Sequence, residues 1–220
     1  MKRASLIGFT LAALLAGCSE QADTPAVSEQ PEAGVSAAAS HIAIPGFYEG
    51  YIVNPQVTDD RTLTETGAVF RDARGQIELL AAALDGDTVE IGGIELTVHA
   101  AKLLSYQPDY SLTDYYHHFT EAEEFPIINA FIEIRNTTDA PLKFAPVALA
   151  SADTGEEYTW EDDIYLEELN GEIAPGETVK GHIGFVLDGE DTRTLTLTTS
   201  DVFNTEDEKI ADANELTIDF

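Results

Sequence analysis

From about residue 68 onward, apolar and polar residues alternate with a period of two. Ile94, Leu96, Val98 and Ala100 lie between Glu95, Thr97 and His99, and Ile128, Ala130, Ile132 and Ile134 alternate with Asn129, Phe131, Glu133 and Arg135. Val179, Gly181, Ile183, Phe185 and Leu187 share one face, with Thr178, Lys180, His182 and Gly184 on the other. Leu195 and Leu197 sit between Thr194, Thr196 and Thr198, and Leu216, Ile218 and Phe220 face away from Glu215, Thr217 and Asp219. Successive side chains of a strand point to opposite faces, so each run predicts a strand with one buried and one wet face. That is the pattern of antiparallel sheets packed as a sandwich. It sends His99 and His182 to the wet faces of different strands, where they converge only if those strands are neighbours.

Turn chemistry separates the runs. Gly92-Gly93 between "TVEI" and "IELTV" predicts a two-residue hairpin, and "NTTDAP" (136–141), "ADTG" (152–155) and "APGE" (174–177) predict further turns. Short strands at this spacing predict an all-β, immunoglobulin-like antiparallel β-sandwich of roughly 130 residues. The stretch "GAVFRDARGQIELLAAALDG" (67–86) adds a strand pair or a short helix at its edge. We expect one domain over 46–220, with no internal repeat.

Four segments in order, "GDTVEIGGIELTVHAAKLLSY" (86–106), "FPIINAFIEIRNTTDAPLKF" (125–144), "DTGEEY" (153–158) and "IAPGETVKGHIGFVL" (173–187), carry a resemblance. The chain over 86–199 resembles the telokin-like, immunoprotective-antigen type of immunoglobulin-like domain found in bacterial lipoproteins of unknown function. The resemblance implies a fold and an exported location, and brings no catalytic residues. Residues 46–85, an insertion at 107–125 and the tail after 200 depart from it.

The N-terminus has a different pattern. Met-Lys-Arg is followed by an apolar, small-residue run from Ala4 to Gly17. A basic start, a short hydrophobic core and small residues before a cut site describe an export signal over 1–17. The run is too short for a membrane-spanning helix, which takes roughly 20 residues. Leu15-Ala16-Gly17-Cys18 resembles the lipobox of bacterial lipoproteins, which implies cleavage before Cys18 and lipidation of its thiol. Cys18 is the only cysteine of the chain, so no internal disulfide can form. Residues 18–45 read as the lipidated cysteine and a flexible Ser/Ala/Glu/Pro-rich linker. These features place the protein in the cell envelope, lipid-anchored on the outer face of the cell membrane or at the outer membrane.

Charge narrows the partners. The formal net charge is −30, and removal of 1–17 takes Lys2 and Arg3 and no acid, leaving −32. Phosphate backbones are repelled by such a chain, so nucleic acid is excluded as a partner. An anionic membrane surface repels it too, so attachment falls to the lipid.

Candidate chemistry concentrates in "QPDYSLTDYYHHFTEAEEF" (107–125), expected to form a loop or a single helical turn carrying Tyr110, Tyr115, Tyr116, His117, His118 and Phe119. Long loops on rigid sandwiches often carry binding, unless their aromatics fold back over an open end of the core. Trp160 and Tyr165 in "TWEDDIYLEEL" (159–169) offer a second aromatic-acidic loop, with a place in the core the equal alternative for Trp160. The alternative from another class is a divalent-metal site using His117 and His118 with Glu121, Glu123 or Glu124, although no H-x-x-x-H or EF-hand spacing is present. No nucleophile elbow, zinc-protease motif or phosphate-binding glycine loop occurs, so we expect no catalysis and no cofactor. The reading is a lipid-anchored binding module that presents its domain to a protein or envelope partner.

Overall fold

The computed structural model describes residues 43–220. The expectations for 1–17, Cys18 and the linker up to residue 42 lie outside the described residues. The described residues form fourteen strands: β1 Val69–Asp72, β2 Gly75–Ala83, β3 Asp87–Ile91, β4 Ile94–Pro108, β5 Phe125–Asn136, β6 Leu142–Phe144, β7 Leu149–Ala152, β8 Glu157–Tyr158, β9 Gly171–Ile173, β10 Thr178–Val186, β11 Thr194–Thr198, β12 Val202–Asn204, β13 Lys209–Ala211 and β14 Glu215–Asp219. Among the described residues the single α-helical turn, α1, is Thr113–Tyr116. Every strand pairing is antiparallel. One sheet has six strands in the order β1-β2-β4-β5-β10, with β3 beside β4; two sheets of four run β14-β11-β7-β8 and β13-β12-β6-β9.

The period-two pattern accounts for the main core. Ile94, Leu96 and Val98 of β4, the even-numbered apolar residues of β5 from Ile128 to Ile134, and Ile183 and Phe185 of β10 pack in one buried cluster. Phe144, Leu195, Leu197, Val202 and Leu216 of the short sheets belong to it too. The fold is thus the immunoglobulin-like antiparallel sandwich that the alternation predicts. Gly92 and Gly93, with φ of 56° and 94°, turn β3 into β4 as the two-residue hairpin. Residues 67–86 form the strand pair β1–β2 at the sheet edge, with no helix.

Two departures shape everything that follows. The first is a bulge in β4 between Val98 and Ala100, which leaves His99 without a partner opposite it. One extra residue reverses the phase, so Ala101 and Leu103 continue the core while Ala100, opposite Phe131, moves to the other face. The second is that the central part of this other face, around Lys102, Asn129, Phe131 and His182, is dry. Residues 43–68 form no strand, only a 3-10 turn at Gly46–Tyr48, and run as a strap over β4, β5 and β10. Phe47 stacks on His99 with centroids 4.9 Å apart, Tyr48 leans on Phe131 at 4.4 Å and Tyr51 meets His182 edge-on at 5.1 Å. The expectation that His182 faces water is therefore corrected: it is 2% exposed beneath the strap. Further along the same face, Val57 and Leu63 of the strap join Ile77, Leu104, Tyr106, Tyr116, Phe125 and Ile164 in a second core.

Candidate functional site

The outer face of β4, β5 and β10 carries a polar cluster with almost no access to water. Lys102 (2% exposed) lies in β4, Asn129 in β5, His182 in β10 and Asp60 (3% exposed) in the strap. Lys102 Nζ donates to the Asp60 backbone oxygen at 2.6 Å and stands 3.1 Å from Asp60 Oδ2. Asn129 Nδ2 donates to Asp60 Oδ2 at 3.2 Å and to the Tyr165 hydroxyl at 2.7 Å. A buried charge is tolerated only when paired and hydrogen-bonded, and Asp60 meets both conditions. Burial opposes its charge, yet Lys102, His182 and the bonds from Lys102 and Asn129 outweigh it and hold the carboxyl below its usual range. Burial pushes the His182 imidazole below its ordinary value, against the pull of Asp60 and Glu167.

Loop 163–169 seals the free edge of β10 with side chains in place of a neighbouring strand. Glu167 Oε2 accepts from the His182 backbone N–H at 2.9 Å, and Asp163 Oδ1 accepts from that of Gly184 at 2.8 Å. The Ile164 N–H returns a bond to the Gly184 carbonyl at 2.9 Å. Two glycines make room: a Cβ on Gly181 would overlap the Glu167 carboxylate, and one on Gly184 would come within 2.8 Å of Tyr165 Cε2. An unpaired strand edge invites association with another chain, and this cover removes the invitation over its central residues.

The insertion after β4 divides its aromatic residues between core and surface. Tyr116 is buried, its hydroxyl donating to the Gln56 carbonyl at 3.0 Å; Tyr115 and Phe119 are half-buried, and Tyr115 donates to the Ile164 carbonyl at 2.7 Å. Tyr165 is buried on Asn129 and stacked on His182 at 4.8 Å. Tyr116 and Tyr165 are thus core residues, not contact residues, because their rings fill the space under the strap. Tyr110 is 90% exposed and Trp160 is 60% exposed. Each sits on a fixed turn: Asp109 accepts from the Ser111 N–H at 3.0 Å, and Thr159 and Asp162 form a capping box around Trp160.

Two clefts flank α1. One, of about 580 Å³, is lined by Arg71, Asp109, Tyr110, His117, Glu121 and Glu123 among others. The second, of about 350 Å³, lies between His118, Phe119 and the segment bearing Glu156, Glu157, Asp162 and Asp188. The two aromatic loops therefore share one end of the sandwich. The metal alternative gains no geometry here. His117 and His118 line different clefts, His118 Nδ1 lies 3.1 Å from the backbone oxygens of Asp114 and Tyr115, and Glu124 accepts from Ser105 Oγ at 2.8 Å. Among the described residues no three His, Cys, Asp or Glu side chains are placed to hold a metal ion. No helix among them is long and apolar enough to cross a membrane.

The sequence reading missed Asp60, Lys102 and Asn129. The available signals were Lys102 inside "HAAKLLSY", apolar on both sides, and Phe131 on a supposedly wet face.

An all-β sandwich with a strap sealing charged groups onto its main sheet, and an acidic, aromatic end, is the class this architecture defines. Residues 85–210 match the DUF4352 family, described as a domain of unknown function, and the chain belongs to that family. It is 38% identical over 229 residues to the uncharacterized protein YdhF of Bacillus subtilis (strain 168), covering 96% of this chain and 97% of that protein. Among solved structures it is similar to a functionally unknown protein from Listeria monocytogenes EGD-e, with 10% identity and a TM-score of 0.48 over 66% of this chain and 87% of that one. A conserved hypothetical protein from Bacillus anthracis gives 16% identity and a TM-score of 0.36, covering 59% and 94% respectively.

Proposed function

We propose that the protein is a lipid-anchored, non-catalytic binding module of the bacterial envelope, with a telokin-like domain held off the membrane by its linker and presented to a protein or envelope partner. The observation that carries this reading is the pair of exposed aromatic side chains, Tyr110 and Trp160, fixed on capped turns at one end. Aromatic side chains have few rotatable bonds and give large contact area at low entropic cost, which is how binding anchors work. The carboxylates lining both clefts suit a partner surface rich in Lys or Arg. The anchor rests on the lipobox-like Leu15-Ala16-Gly17-Cys18.

Both halves have direct tests. A photo-crosslinking amino acid at position 110 or 160, on intact cells, is expected to trap one discrete partner, with trapping lost when the other aromatic residue is changed to Ala. Uniform, weak labelling of many proteins would remove the binding reading. Detergent phase partition tests the anchor: the wild-type chain goes to the detergent phase and Cys18→Ala to the aqueous phase. Identical partition of the two would remove the lipid.

A further inference from the structure

The polar chain beneath the strap contains a gap at its centre. Glu167 accepts from Asn54 Nδ2 at 2.9 Å, from the His182 backbone N–H at 2.9 Å and from the Tyr51 hydroxyl at 2.6 Å. The last contact uses the only proton of the Tyr51 phenol, so its oxygen can only accept from His182 Nδ1, 3.0 Å away. A neutral imidazole with its proton on Nδ1 has a bare lone pair on Nε2. That atom is buried, has no hydrogen-bond partner and lies 3.6 Å from Asp60 Oδ1. Asp60 Oδ2 is already engaged by Lys102 and Asn129. Two acceptors therefore face each other in a site nearly free of solvent, and an unpaired buried acceptor is costly.

A void of about 10 Å³ lies at this point, lined by Tyr51, Thr58, Asp60, Tyr165 and His182 among others. That is about the smallest volume that holds one water. The Tyr48 and Thr58 hydroxyls, both buried in the same strap, also lack partners. We propose that this void is a binding site for a single structural water molecule, which donates one hydrogen to His182 Nε2 and the other to Asp60 Oδ1. Water satisfies both acceptors without adding charge; an ammonium ion would place a second cation beside Lys102. The low basicity of the buried imidazole agrees with a neutral ring that accepts rather than donates. The water completes a hydrogen-bonded path from Glu167 through Tyr51, His182 and Asp60 to Lys102, joining loop 163–169, the strap, β10 and β4.

Two measurements on the full chain decide it. In a high-resolution crystal structure, a peak is expected within about 2.6–3.2 Å of both His182 Nε2 and Asp60 Oδ1. In ¹⁵N spectra at pH 7–8, His182 is expected as the neutral tautomer protonated on Nδ1. His182→Phe, which keeps a ring against Tyr165, should lose the peak. A dry void, or an imidazolium whose Nε2–H points at Asp60, overturns the proposal. Should His182→Phe fail to fold, the two wild-type measurements still settle the matter.

Discussion

Asp163 and His182 are two titratable residues on opposite sides of one seam, and their protons work against each other. Burial raises the Asp163 carboxyl from 3.8 to about 6, even though backbone N–H groups of Gly184 and Tyr165 bond to it. A raised acid stabilises the fold below pH 3.8, and that stability is lost as the pH climbs to about 6. For His182 the folded value lies below 6.5, so its contribution is present above pH 6.5 and is lost as the pH falls. The slopes oppose each other in the mildly acidic range. Asp163→Asn keeps an acceptor for Gly184 and removes the charge. Relative to wild type, its unfolding free energy should improve by roughly 3 kcal/mol between pH 4 and pH 8, two pKa units at about 1.4 kcal/mol each. A flat difference in urea titrations across that range would show that Asp163 ionises normally. The glycines beside it are steric requirements. Gly184→Ala sets a methyl group 2.8 Å from both the Ile128 carbonyl oxygen and the Tyr165 ring, and should cost about 1–3 kcal/mol by overpacking. An unchanged thermal midpoint would mean that loop 163–169 yields freely.

The strap has no place in any sheet, and beside its apolar contacts it is held by the buried pair Asp60–Lys102. Asp60→Ala removes the counter-charge of Lys102 and should destabilise the fold by about 3–5 kcal/mol, the usual cost of orphaning one member of a buried ion pair. Asp60→Leu combined with Lys102→Met removes both charges and should cost clearly less, a non-additivity that chemical denaturation of the single and double variants can measure. Additive losses would show that the two side chains do not act as a pair. The strap was also the least legible element. Strands that bury one face against the short sheets announce themselves by alternation, because every second position must be apolar. Residues 43–68 make their contacts through single side chains such as Tyr48, Asp60 and Leu63, with no period to detect. Its presence alters the meaning of correctly placed residues: Asn129 and His182 do point away from the main core, but into the strap and not into water. The β4 bulge hid Lys102 in a similar way. A strict period of two carried on from Val98 puts Lys102 on the core side, and the extra residue at His99 moves it under the strap beside Asp60. Of the candidate contact residues, the sequence left Trp160 open between core and surface and the aromatics of 107–125 open between contact and cover; Tyr110 and Trp160 point outward, whereas Tyr116 and Tyr165 were claimed by a core that no single strand encodes.

At the scale of the whole molecule, the formal charge of −30 acts on stability and on binding in opposite senses. Among the described residues, exposed ion pairs are few. Lys143–Asp207 and Lys209 with Asp201 and Asp212 are examples, and such pairs contribute little. Most surface carboxylates therefore repel one another, and self-repulsion destabilises a compact state. Salt shortens the range of that repulsion from about 30 Å at 0.01 M to about 10 Å at 0.1 M. The thermal midpoint should accordingly rise with NaCl over this interval, whereas sucrose at equal osmolality, which does not screen, should leave the charge-dependent part unmoved. The acidic clefts that flank α1 respond to the same screening in reverse. Attraction of a Lys- or Arg-rich partner weakens as salt rises, mainly through a slower association rate. With the partner trapped by crosslinking at position 110 in hand, association should slow over the same salt interval that stabilises the fold. Dissociation, governed by the aromatic anchors, should change much less. Association indifferent to salt would mean that the carboxylates face away from the partner, leaving the aromatic pair alone as the recognition surface, and association that quickens with salt would mean that the partner surface is itself acidic.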